Sequence, residues 1–413
     1  MVNNTLFERI CRRIDSYRND MVALQTALTA IPAIGPDNGG DGEYTKSRVL
    51  IDYLRSSGFT AIEEYNAPDD RVSAGVRPNV VATLPGNDPG KRVWILTHTD
   101  IVPPGEMTLW VHDPFDAVVS DGKIFGRGTE DNQQELVASL FAAKAFIDEG
   151  ITPASTVSLA FVADEETSSG KGLIYLLDSQ EGLFRKEDII VVPDFGNPDG
   201  SMIEIAEKSI LWLRFQTVGV QCHGSTPEKG RNAFLAASHL VVRLNDLHRI
   251  FDTTEDIYDP PISTFAATKK EANVPNINTI PGDDVFYLDC RILPSHDIDL
   301  VMTEISTMTR EIEGQFDVSI SCETVQKVSA PPPTPHDAPV VSALQLAVRD
   351  TCGIAAEPVG VGGGTVAAHL RAKGFPVAAW SKIDNTMHQP NEYCVIANMI
   401  GSAKVYSHLF LQK

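Results

Sequence analysis

The sequence lacks any apolar run long enough to cross a membrane, because a transmembrane helix needs about 20 consecutive apolar residues. The first residues, Met-Val-Asn-Asn-Thr-Leu-Phe-Glu-Arg-Ile, are polar and soon show the apolar spacing of a helix. They contain no uninterrupted apolar stretch of the kind that signal peptides carry. We therefore expect a cytoplasmic protein with no membrane partner.

The sequence also has few cations and no paired cysteines. It contains 34 Lys and Arg against 55 Asp and Glu, a formal net charge of -21. Nucleic-acid binding relies on Lys and Arg that neutralise phosphates, so this balance argues against a nucleic-acid partner. The six cysteines are widely dispersed and never form a C-x-x-C pair. Their spacing indicates reduced, mostly structural thiols.

Apolar runs rich in β-branched residues predict the strands of a buried sheet. Four such runs lie at 80–84, 93–97, 157–163 and 189–193. The apolar spacing of helices occurs at 5–30, 44–57, 132–149 and 170–180. Strands that alternate with helices are typical of an α/β domain with a mostly parallel sheet.

The pattern changes after residue 207. Strand candidates then lie at 211–218, 284–292 and 318–322, and helix candidates lie at 232–249 and 297–313. This order predicts a small α+β domain with an antiparallel sheet, followed by a stiff proline-rich linker at 330–335. A length of 413 residues favours two or three domains. We predict a main domain formed by 1–207 and 326–413, interrupted by an inserted domain at 208–325.

Carboxylates and imidazoles follow the ends of the apolar runs in the main domain. They are His98 and Asp100, Asp131, Glu165 and Glu166, Asp194, and His388. An open α/β sheet collects its active site at the carboxyl ends of its strands. Carboxylates and imidazoles are also ligands that divalent metals accept in proteins. The order of these residues therefore predicts one shared site for two metal ions.

Each of these motifs also has a plain structural interpretation when it is considered alone. His98 and Asp100 can form a polar strand end, Asp131 can cap the following helix, and the acidic run at 164–166 can be a solvated face. Their joint order favours the metal site. Residues two apart in a strand face the same way, which brings His98 and Asp100 together. Adjacent glutamates allow one to bind a metal while the other accepts a proton from water.

In the order and identity of its motifs the chain resembles the M20 family of metallopeptidases. This family contains succinyl-diaminopimelate desuccinylase, acetylornithine deacetylase, aminoacylase, carboxypeptidase G and the carnosinase-type dipeptidases. The resemblance covers nearly the whole chain. Its motifs are Thr97-His-Thr-Asp100, Trp110 to Phe115, Asp121-Gly-Lys-Ile-Phe-Gly-Arg-Gly128, Asp131, Asp164-Glu-Glu166, His223-Gly-Ser-Thr-Pro227, Asn278-Thr-Ile-Pro-Gly282, Asp289-Cys-Arg291, Gly363-Gly-Thr365 and His388. It implies a zinc-peptidase-like α/β catalytic domain interrupted by a smaller α+β lid and dimerisation domain.

The resemblance also implies a metal centre. Two zinc ions would be bridged by Asp131, one also held by His98 and Asp194 and the other by Glu166 and His388. Glu165 would be the general base, and Asp100 would orient His98. Cobalt or manganese ions suit the same set of ligands.

The resemblance further assigns substrate contacts. His223 would polarise the scissile carbonyl, Asn278 and Arg291 would hold polar groups of the substrate, and Gly364 and Thr365 would contact its amino-acid part. Without the resemblance, His223 is a loop histidine and Arg291 a surface charge at a strand end. The resemblance implies a homodimer through the inserted domain, with His223 acting in its own chain or across the dimer.

Three features of the sequence bear on the substrate or on the local turn. Asn132-Gln-Gln134 stands where many members carry Asp or Met followed by Lys-Gly, and Val366 stands where members often carry an acidic or hydroxyl residue. Asp194 is the residue type of the dipeptidases and aminopeptidase-like members, whereas the deacylases tend to carry glutamate there. This favours small peptides and leaves N-acyl amino acids open.

We therefore predict a metal-dependent hydrolase that cleaves an amide bond in a dipeptide or in an N-succinyl or N-acetyl amino acid. Two divalent ions can share a hydroxide and polarise the amide carbonyl. Glu165 would accept the proton of the water and return it to the leaving nitrogen. A catalytically silent metal-binding relative is the alternative, but such a relative can lose Glu165, which this chain keeps. A pyridoxal-phosphate transferase is disfavoured because no lysine lies in a recognisable cofactor pattern.

Overall fold

The computed structural model describes residues 2–413, which divide into two compact units. Unit 1 is formed by the chain up to Ile205 together with Pro333–Val359 and Thr365–Lys413. Unit 2 is formed by Ala206–Pro332 and Gly360–Gly364. Unit 1 contains a large, mostly parallel sheet flanked by helices, which confirms the predicted α/β fold class.

The helices in chain order are α1 (Asn4–Ser16), α2 (Arg18–Thr29), α3 (Tyr44–Ser56), α4 (Gln134–Glu149), α5 (Leu173–Ser179), α6 (Ala233–Leu244), α7 (Leu247–Ile250), α8 (Ile298–Phe316), α9 (Pro339–Cys352), α10 (Ala367–Ala372) and α11 (Ile396–Leu411). The strands are β1 (Ala61–Pro68), β2 (Val76–Leu84), β3 (Asp88–His98), β4 (Val118–Ser120), β5 (Lys123–Phe125), β6 (Ser155–Val162), β7 (Ile189–Asn197), β8 (Met202–Glu207), β9 (Ser209–Val218), β10 (Cys222–His223), β11 (Thr264–Lys270), β12 (Thr279–Ile280), β13 (Asp283–Ile292), β14 (Ser319–Val328), β15 (Glu357–Val361), β16 (Val377–Lys382) and β17 (Tyr393–Val395).

The main sheet has the strand order β1-β2-β6-β3-β7-β16-β8-β15. The four strands β6, β3, β7 and β16 run parallel to one another, while β2 and β8 pair antiparallel on either side of them. Because parallel strands end at the same edge, the residues after β3, β6 and β7 meet there. The sheet therefore places the predicted ligands of three separate segments close together.

Helix α4 is buried on almost every side. Its residues 136–143 are all inaccessible to solvent, and the helix packs against α11 and the sheet. A helix that is apolar around its circumference is stable only in such an interior position. The short turn before it, which carries Asp131, is therefore attached to a rigid element.

The N-terminal segment differs from the single helix predicted at 5–30. The structure has two helices, α1 and α2, which are separated at Tyr17. The Tyr17 backbone leaves helical geometry (φ -87°, ψ 2°), and its buried side chain donates a hydrogen bond to Asp148. The apolar spacing is nearly continuous across this break, so periodicity alone does not reveal it.

Unit 2 contains an antiparallel sheet of order β11-β13-β9-β14, with α6 and α8 over one face. The core beneath these helices includes Leu213, Phe215, Leu240 and Ile305. The sequence did not predict the edge strand β11. Its residues 266–270 are all exposed, so the strand lacks the apolar pattern that would identify it. Across residues 2–413, no helix has the length and apolar character needed to span a membrane.

Candidate metal centre

The carboxyl ends of three neighbouring strands supply four of the predicted site residues. His98 is the last residue of β3, and Glu165 and Glu166 follow β6 in an irregular turn. Asp194 lies inside β7, which continues to Asn197, although the sequence suggested that the strand ends before it. These side chains converge at the edge of the sheet, as parallel pairing of β3 with β6 and β7 requires.

Asp131 lies between the two histidines. Its Oδ1 atom is 3.0 Å from Nε2 of His98, and its Oδ2 atom is 3.1 Å from Nε2 of His388. The Asp131 backbone is not helical (φ -110°, ψ 98°), and the peptide bond that follows it is cis. The two short distances show that the carboxylate faces the imidazoles, and the N-cap residue of α4 is Gln133, so Asp131 does not cap this helix.

The side chains around Asp131 form two overlapping groups of metal-ligand type. One group is His98, Asp131 and Asp194, and the other is Asp131, Glu166 and His388. Within each group, one ligand atom of every residue lies within 4.8 Å of the others. His98 Nε2 is 3.5 Å from Asp194 Oδ1, and His388 Nε2 is 3.0 Å from Glu166 Oε2. A third group, His98 with Glu165 and Glu166, overlaps both.

The electrostatics of this cluster suit divalent cations. Four carboxylates stand close together, and Glu166 Oε1 is buried without a hydrogen-bond partner among residues 2–413. Hydrogen bonds to Asp131 and Glu166 raise the pKa of His388 to about 10. Burial opposes the protonation of His98, but hydrogen bonds to Asp100, Asp131 and Asp194 outweigh it and raise the pKa of His98. This set of nitrogen and oxygen donors fits zinc, cobalt or manganese ions.

Glu165 is the carboxylate of the cluster with the fewest partners. Its Oε2 atom is 4.0 Å from Nε2 of His98, and burial together with the charge of Asp194 raises its pKa well above the usual range. A carboxylate beside metal ligands can accept a proton from water and return it to a leaving group. The position of Glu165 beside both ligand groups is compatible with a general base.

Asp100 contacts both His98 and the glutamate pair. Nδ1 of His98 is 3.1 Å from the Asp100 carbonyl oxygen and 3.5 Å from its carboxylate. The two carboxylate oxygens accept the backbone N–H groups of Glu165 (3.1 Å) and Glu166 (2.9 Å). Asp100 thus orients a histidine from one side and fixes the turn that carries the glutamates from the other.

Two buried carboxylates near the cluster were missed by the sequence-based prediction. Glu392 accepts hydrogen bonds from the turn that carries Asp131, and Glu130 accepts hydrogen bonds from the loop that carries His388. In the sequence, Glu130 immediately precedes the predicted ligand Asp131, and Glu392 follows the predicted ligand His388 by four residues. From the sequence alone, a glutamate at such a position is as consistent with an exposed charge as with a buried one. Its burial is evident only from the fold.

The structure explains the residues that depart from the usual family pattern. The Asn132 side chain donates to the Pro193 carbonyl (2.7 Å) and to Asp194 Oδ1 (3.1 Å), so it orients a predicted ligand. Val366 is buried in an apolar cluster with Leu370 and Leu173. Its side chain therefore packs inside unit 1 at the start of α10.

Within unit 2, the structure brings His223 and Asn278 together. The short strands β10 and β12 pair His223 with Thr279, and the Gly224 N–H donates to the Asn278 carbonyl at 2.7 Å. A Cβ atom on Gly224 would lie 2.9 Å from that carbonyl oxygen, which explains the glycine. Nδ1 of His223 accepts the Ser225 backbone N–H at 3.1 Å. In the neutral imidazole, Nε2 then carries the proton and can donate to a carbonyl.

Arg291 and the predicted glycine-rich loop also meet within unit 2. The Arg291 guanidinium pairs with Asp289 at 2.8 Å and donates to the Gly362 carbonyl at 2.8 Å. Gly364 has space for a side chain, since a Cβ atom there would meet no atom within 4 Å. Thr365 begins the next segment of unit 1, and its hydroxyl accepts the Ala367 N–H at 3.2 Å.

Comparison with known proteins agrees with this architecture. The model of peptidase family M20/M25/M40 matches residues 94–412. An uncharacterized metallohydrolase of Methanococcus maripaludis is 41% identical over 415 residues, which cover 95% of this chain and 98% of that protein. A succinyl-diaminopimelate desuccinylase of Paracoccus denitrificans is 26% identical over 397 residues, which cover 94% of this chain and 97% of that protein.

Among solved structures, human carnosine dipeptidase 1 superimposes with a TM-score of 0.73 at 17% identity, covering 98% of both chains. At 17% identity, this structural similarity is evidence that the two proteins share a fold. The family match and the identity to the metallohydrolase establish the relationship, and they confirm the resemblance inferred from the motifs. The chain belongs to peptidase family M20/M25/M40 and is a metal-dependent hydrolase.

Proposed function

We propose that this protein hydrolyses an amide bond of a dipeptide or an N-acyl amino acid at a centre of two divalent metal ions, with zinc as the metal. The position of Asp131 carries this proposal. Each of its carboxylate oxygens faces a different histidine, at 3.0 and 3.1 Å. A carboxylate in this position can bridge two ions, with His98 and Asp194 on one side and Glu166 and His388 on the other.

The bound ions would supply Lewis acidity, which lowers the pKa of a water molecule and polarises the amide carbonyl. Glu165 accepts the proton from that water as it attacks the carbonyl carbon. The same carboxylic acid then donates the proton to the leaving nitrogen, so that Glu165 ends each cycle ionised. Asp100 keeps Glu165 in place through the backbone N–H of that residue.

Two features favour a small peptide as the substrate. Asp194 is the ligand type found in the dipeptidases of the family, and carnosine dipeptidase 1 shares the fold. One sequence relative is a succinyl-diaminopimelate desuccinylase. N-acyl amino acids are therefore the second candidate class of substrate. Both classes present an amide bond beside a carboxylate, which Arg291 would bind.

A hydrolysis screen of the zinc-loaded enzyme distinguishes the two substrate classes. Dipeptides of varied side chain are compared with N-succinyl and N-acetyl amino acids, and the released amino group is quantified. We expect a higher kcat/KM for dipeptides. A higher value for N-succinyl amino acids would reassign the substrate class, and no hydrolysis of either class would contradict the proposed reaction. Metal-free enzyme is the control and should be inactive.

We further propose that His223 stabilises the oxyanion of the transition state. Its Nδ1 atom accepts a hydrogen bond from Ser225, so the proton on Nε2 is available to a carbonyl oxygen. The remaining proposed contacts are Asn278, which is paired with the His223 turn, together with Arg291, Gly364 and Thr365. Unit 2 would act as the lid that carries His223, Asn278, Arg291 and Gly364, whereas Thr365 belongs to unit 1.

Unit 2 also has a surface that suits a homodimer. Strand β11 lies at the edge of its sheet, with unpaired backbone groups along one side. The adjacent helix α6 exposes Phe234, Leu235 and Val242. Pairing of this edge and helix face with a second copy would cover both features. We propose that the protein is a homodimer through unit 2.

His223→Ala should lower kcat strongly while leaving both metal ions bound, because the imidazole acts on the transition state and not on the ions. Removal of one oxyanion donor typically costs about 10²–10³ in kcat. Steady-state kinetics and elemental analysis measure the two effects. His336→Ala, at an exposed histidine, is the matched control. Full activity of His223→Ala would remove this residue from the mechanism.

Mixing His223→Ala with Glu165→Gln subunits then tests the dimer. If His223 acts across the dimer, a freely exchanging equal mixture regains activity, because mixed dimers contain one intact site. No recovery despite proven exchange would place His223 in its own chain.

A further inference from the structure

Glu392 binds the turn that carries Asp131 with both of its carboxylate oxygens. Oε1 accepts the backbone N–H groups of Glu130 (2.9 Å) and Asp131 (3.1 Å). Oε2 accepts the Gly128 N–H (2.9 Å) and the Arg127 guanidinium (2.6 Å). Glu392 is fully buried. One side chain thus satisfies three backbone donors of a turn whose own geometry leaves them free.

Glu130 makes the corresponding contacts in the opposite direction. Its Oε1 atom accepts the Asp384 N–H at 2.6 Å, and its Oε2 atom accepts the Thr386 N–H and the Thr386 hydroxyl (2.9 Å). These residues begin the loop that carries His388. Glu130 is also buried. The Asp131 turn and the His388 loop therefore each contribute one glutamate that accepts hydrogen bonds from the backbone of the other. More than 250 residues separate the two segments in the sequence.

The loop that carries His388 needs such external support. It contains three non-glycine residues in the left-handed region, Asn385 (φ 61°), His388 (φ 60°) and Asn391 (φ 62°). This conformation is uncommon for residues other than glycine, although Asn and His adopt it more often than most, and surrounding contacts help to hold it. Between β16 and β17 the loop has no regular helix or strand of its own. Its position relative to Asp131 therefore depends on side-chain contacts.

We propose that Glu130 and Glu392 form a reciprocal carboxylate clamp that fixes the spacing between Asp131 and His388 and thereby sets the affinity for the metal ion that these two residues share. The inference rests on the proposed metal centre. Glu130 and Glu392 are positioning residues, because their own oxygens are occupied by backbone donors. The ion whose affinity the clamp would set is a divalent cation held by the imidazole of His388 and the carboxylates of Asp131 and Glu166.

A carboxylate suits this role better than an amide. The partners of Glu392 and Glu130 are N–H or O–H donors, so each side chain must accept at both oxygens. In the variants Glu130→Gln and Glu392→Gln, one of these oxygens becomes an NH₂ group that faces other donors. The volume of the side chain stays nearly the same. The variants therefore loosen the clamp with little change in packing.

The test measures zinc affinity of the full-length protein by competition with a chromophoric chelator. Loss of a partner that orients a metal ligand typically weakens binding about 10- to 100-fold. We expect a loss of this size for one of the two ions in Glu130→Gln. Glu392→Gln should weaken both ions, because Glu392 contacts the backbone of the shared ligand Asp131. The metal-induced rise in Tm should shrink in parallel in both variants.

Glu135→Gln is the matched control. Glu135 is a fully buried carboxylate that accepts hydrogen bonds from Gln134, Ser402 and Tyr406 and from neither loop of the clamp. Replacing any buried carboxylate is expected to destabilise the fold, so the Tm of the metal-free protein should fall in Glu130→Gln, Glu392→Gln and Glu135→Gln. Only the clamp variants should also lose zinc affinity. An equal loss of affinity in Glu135→Gln would overturn the proposal.

A milder variant keeps the test valid if the glutamine variants do not fold. Thr386→Val removes the hydroxyl contact with Glu130, together with the contacts of the same hydroxyl with the Tyr393 backbone, and leaves the Thr386 N–H bond to Glu130 in place. It should weaken one ion by on the order of tenfold, as expected for a hydrogen bond to a charged group. If the wild type binds two ions and the variants bind them with unchanged affinities, the clamp is overturned but the metal centre stands. Fewer than two ions in the wild type would overturn the proposed metal centre itself.

Discussion

Replacing Glu165 with glutamine is expected to lower kcat about 10²- to 10⁴-fold, the usual contribution of a general base. Glutamine has nearly the same shape but cannot accept the proton of the attacking water. Glu165 lies outside the two ligand groups that share Asp131, so both ions should remain bound. Steady-state kinetics on the best substrate of the screen and elemental analysis of the same preparation measure the two quantities.

Glu187→Gln is the control for this substitution, because Glu187 is an exposed glutamate of unit 1. It should leave both kcat and the metal content unchanged. Near-normal turnover of Glu165→Gln would show that another group accepts the proton. Loss of a metal ion in Glu165→Gln would instead indicate that Glu165 is a ligand, as the group formed by His98, Glu165 and Glu166 permits.

Asp131→Ala is expected to remove both metal ions, whereas His98→Ala should mainly weaken one. The difference follows from the contacts, since Asp131 faces both histidines, whereas His98 shares no ligand group with His388. Loss of the bridge also leaves the remaining ligands with too few donors for either ion. Activity should fall to the level of the metal-free protein in Asp131→Ala.

Metal content by elemental analysis, after dialysis against a buffer of low free zinc, measures this difference. Asp52→Ala, which removes an exposed carboxylate on α3, is the control and should retain two ions. Two ions retained in Asp131→Ala would contradict the bridging role. Loss of both ions in His98→Ala would show that the two sites fill only together.

The central strands of the main sheet were predictable because they are buried and appear as continuous apolar runs, whereas the edge strand β1 is largely exposed and was not predicted. The runs at 93–97, 157–163 and 189–193 correspond to the parallel strands β3, β6 and β7. The convergence of His98, Glu166 and Asp194 followed from this topology, since parallel strands end at one edge. Edge strand β11 carries no such run, because most of its residues face solvent.

The supporting residues of the site could not be predicted for a different reason. Asn132, Glu130 and Glu392 are polar residues next to loops, where the sequence gives no sign of burial. Their roles depend on which backbone donors the fold brings to them, as the contact of Glu392 with the Asp131 turn shows. The sequence predicts residue types that suit metal binding, whereas the contacts that orient those residues emerge only in three dimensions.

The central claim is that Asp131 bridges two metal ions, and anomalous X-ray diffraction from crystals of the zinc-loaded protein tests it most directly. We expect two zinc peaks about 3.5 to 4 Å apart, the usual spacing of two-metal hydrolytic sites. One peak should lie beside His98 and Asp194, the other beside Glu166 and His388, with Asp131 between them. A single peak, or two peaks that do not share Asp131, would contradict the proposed centre.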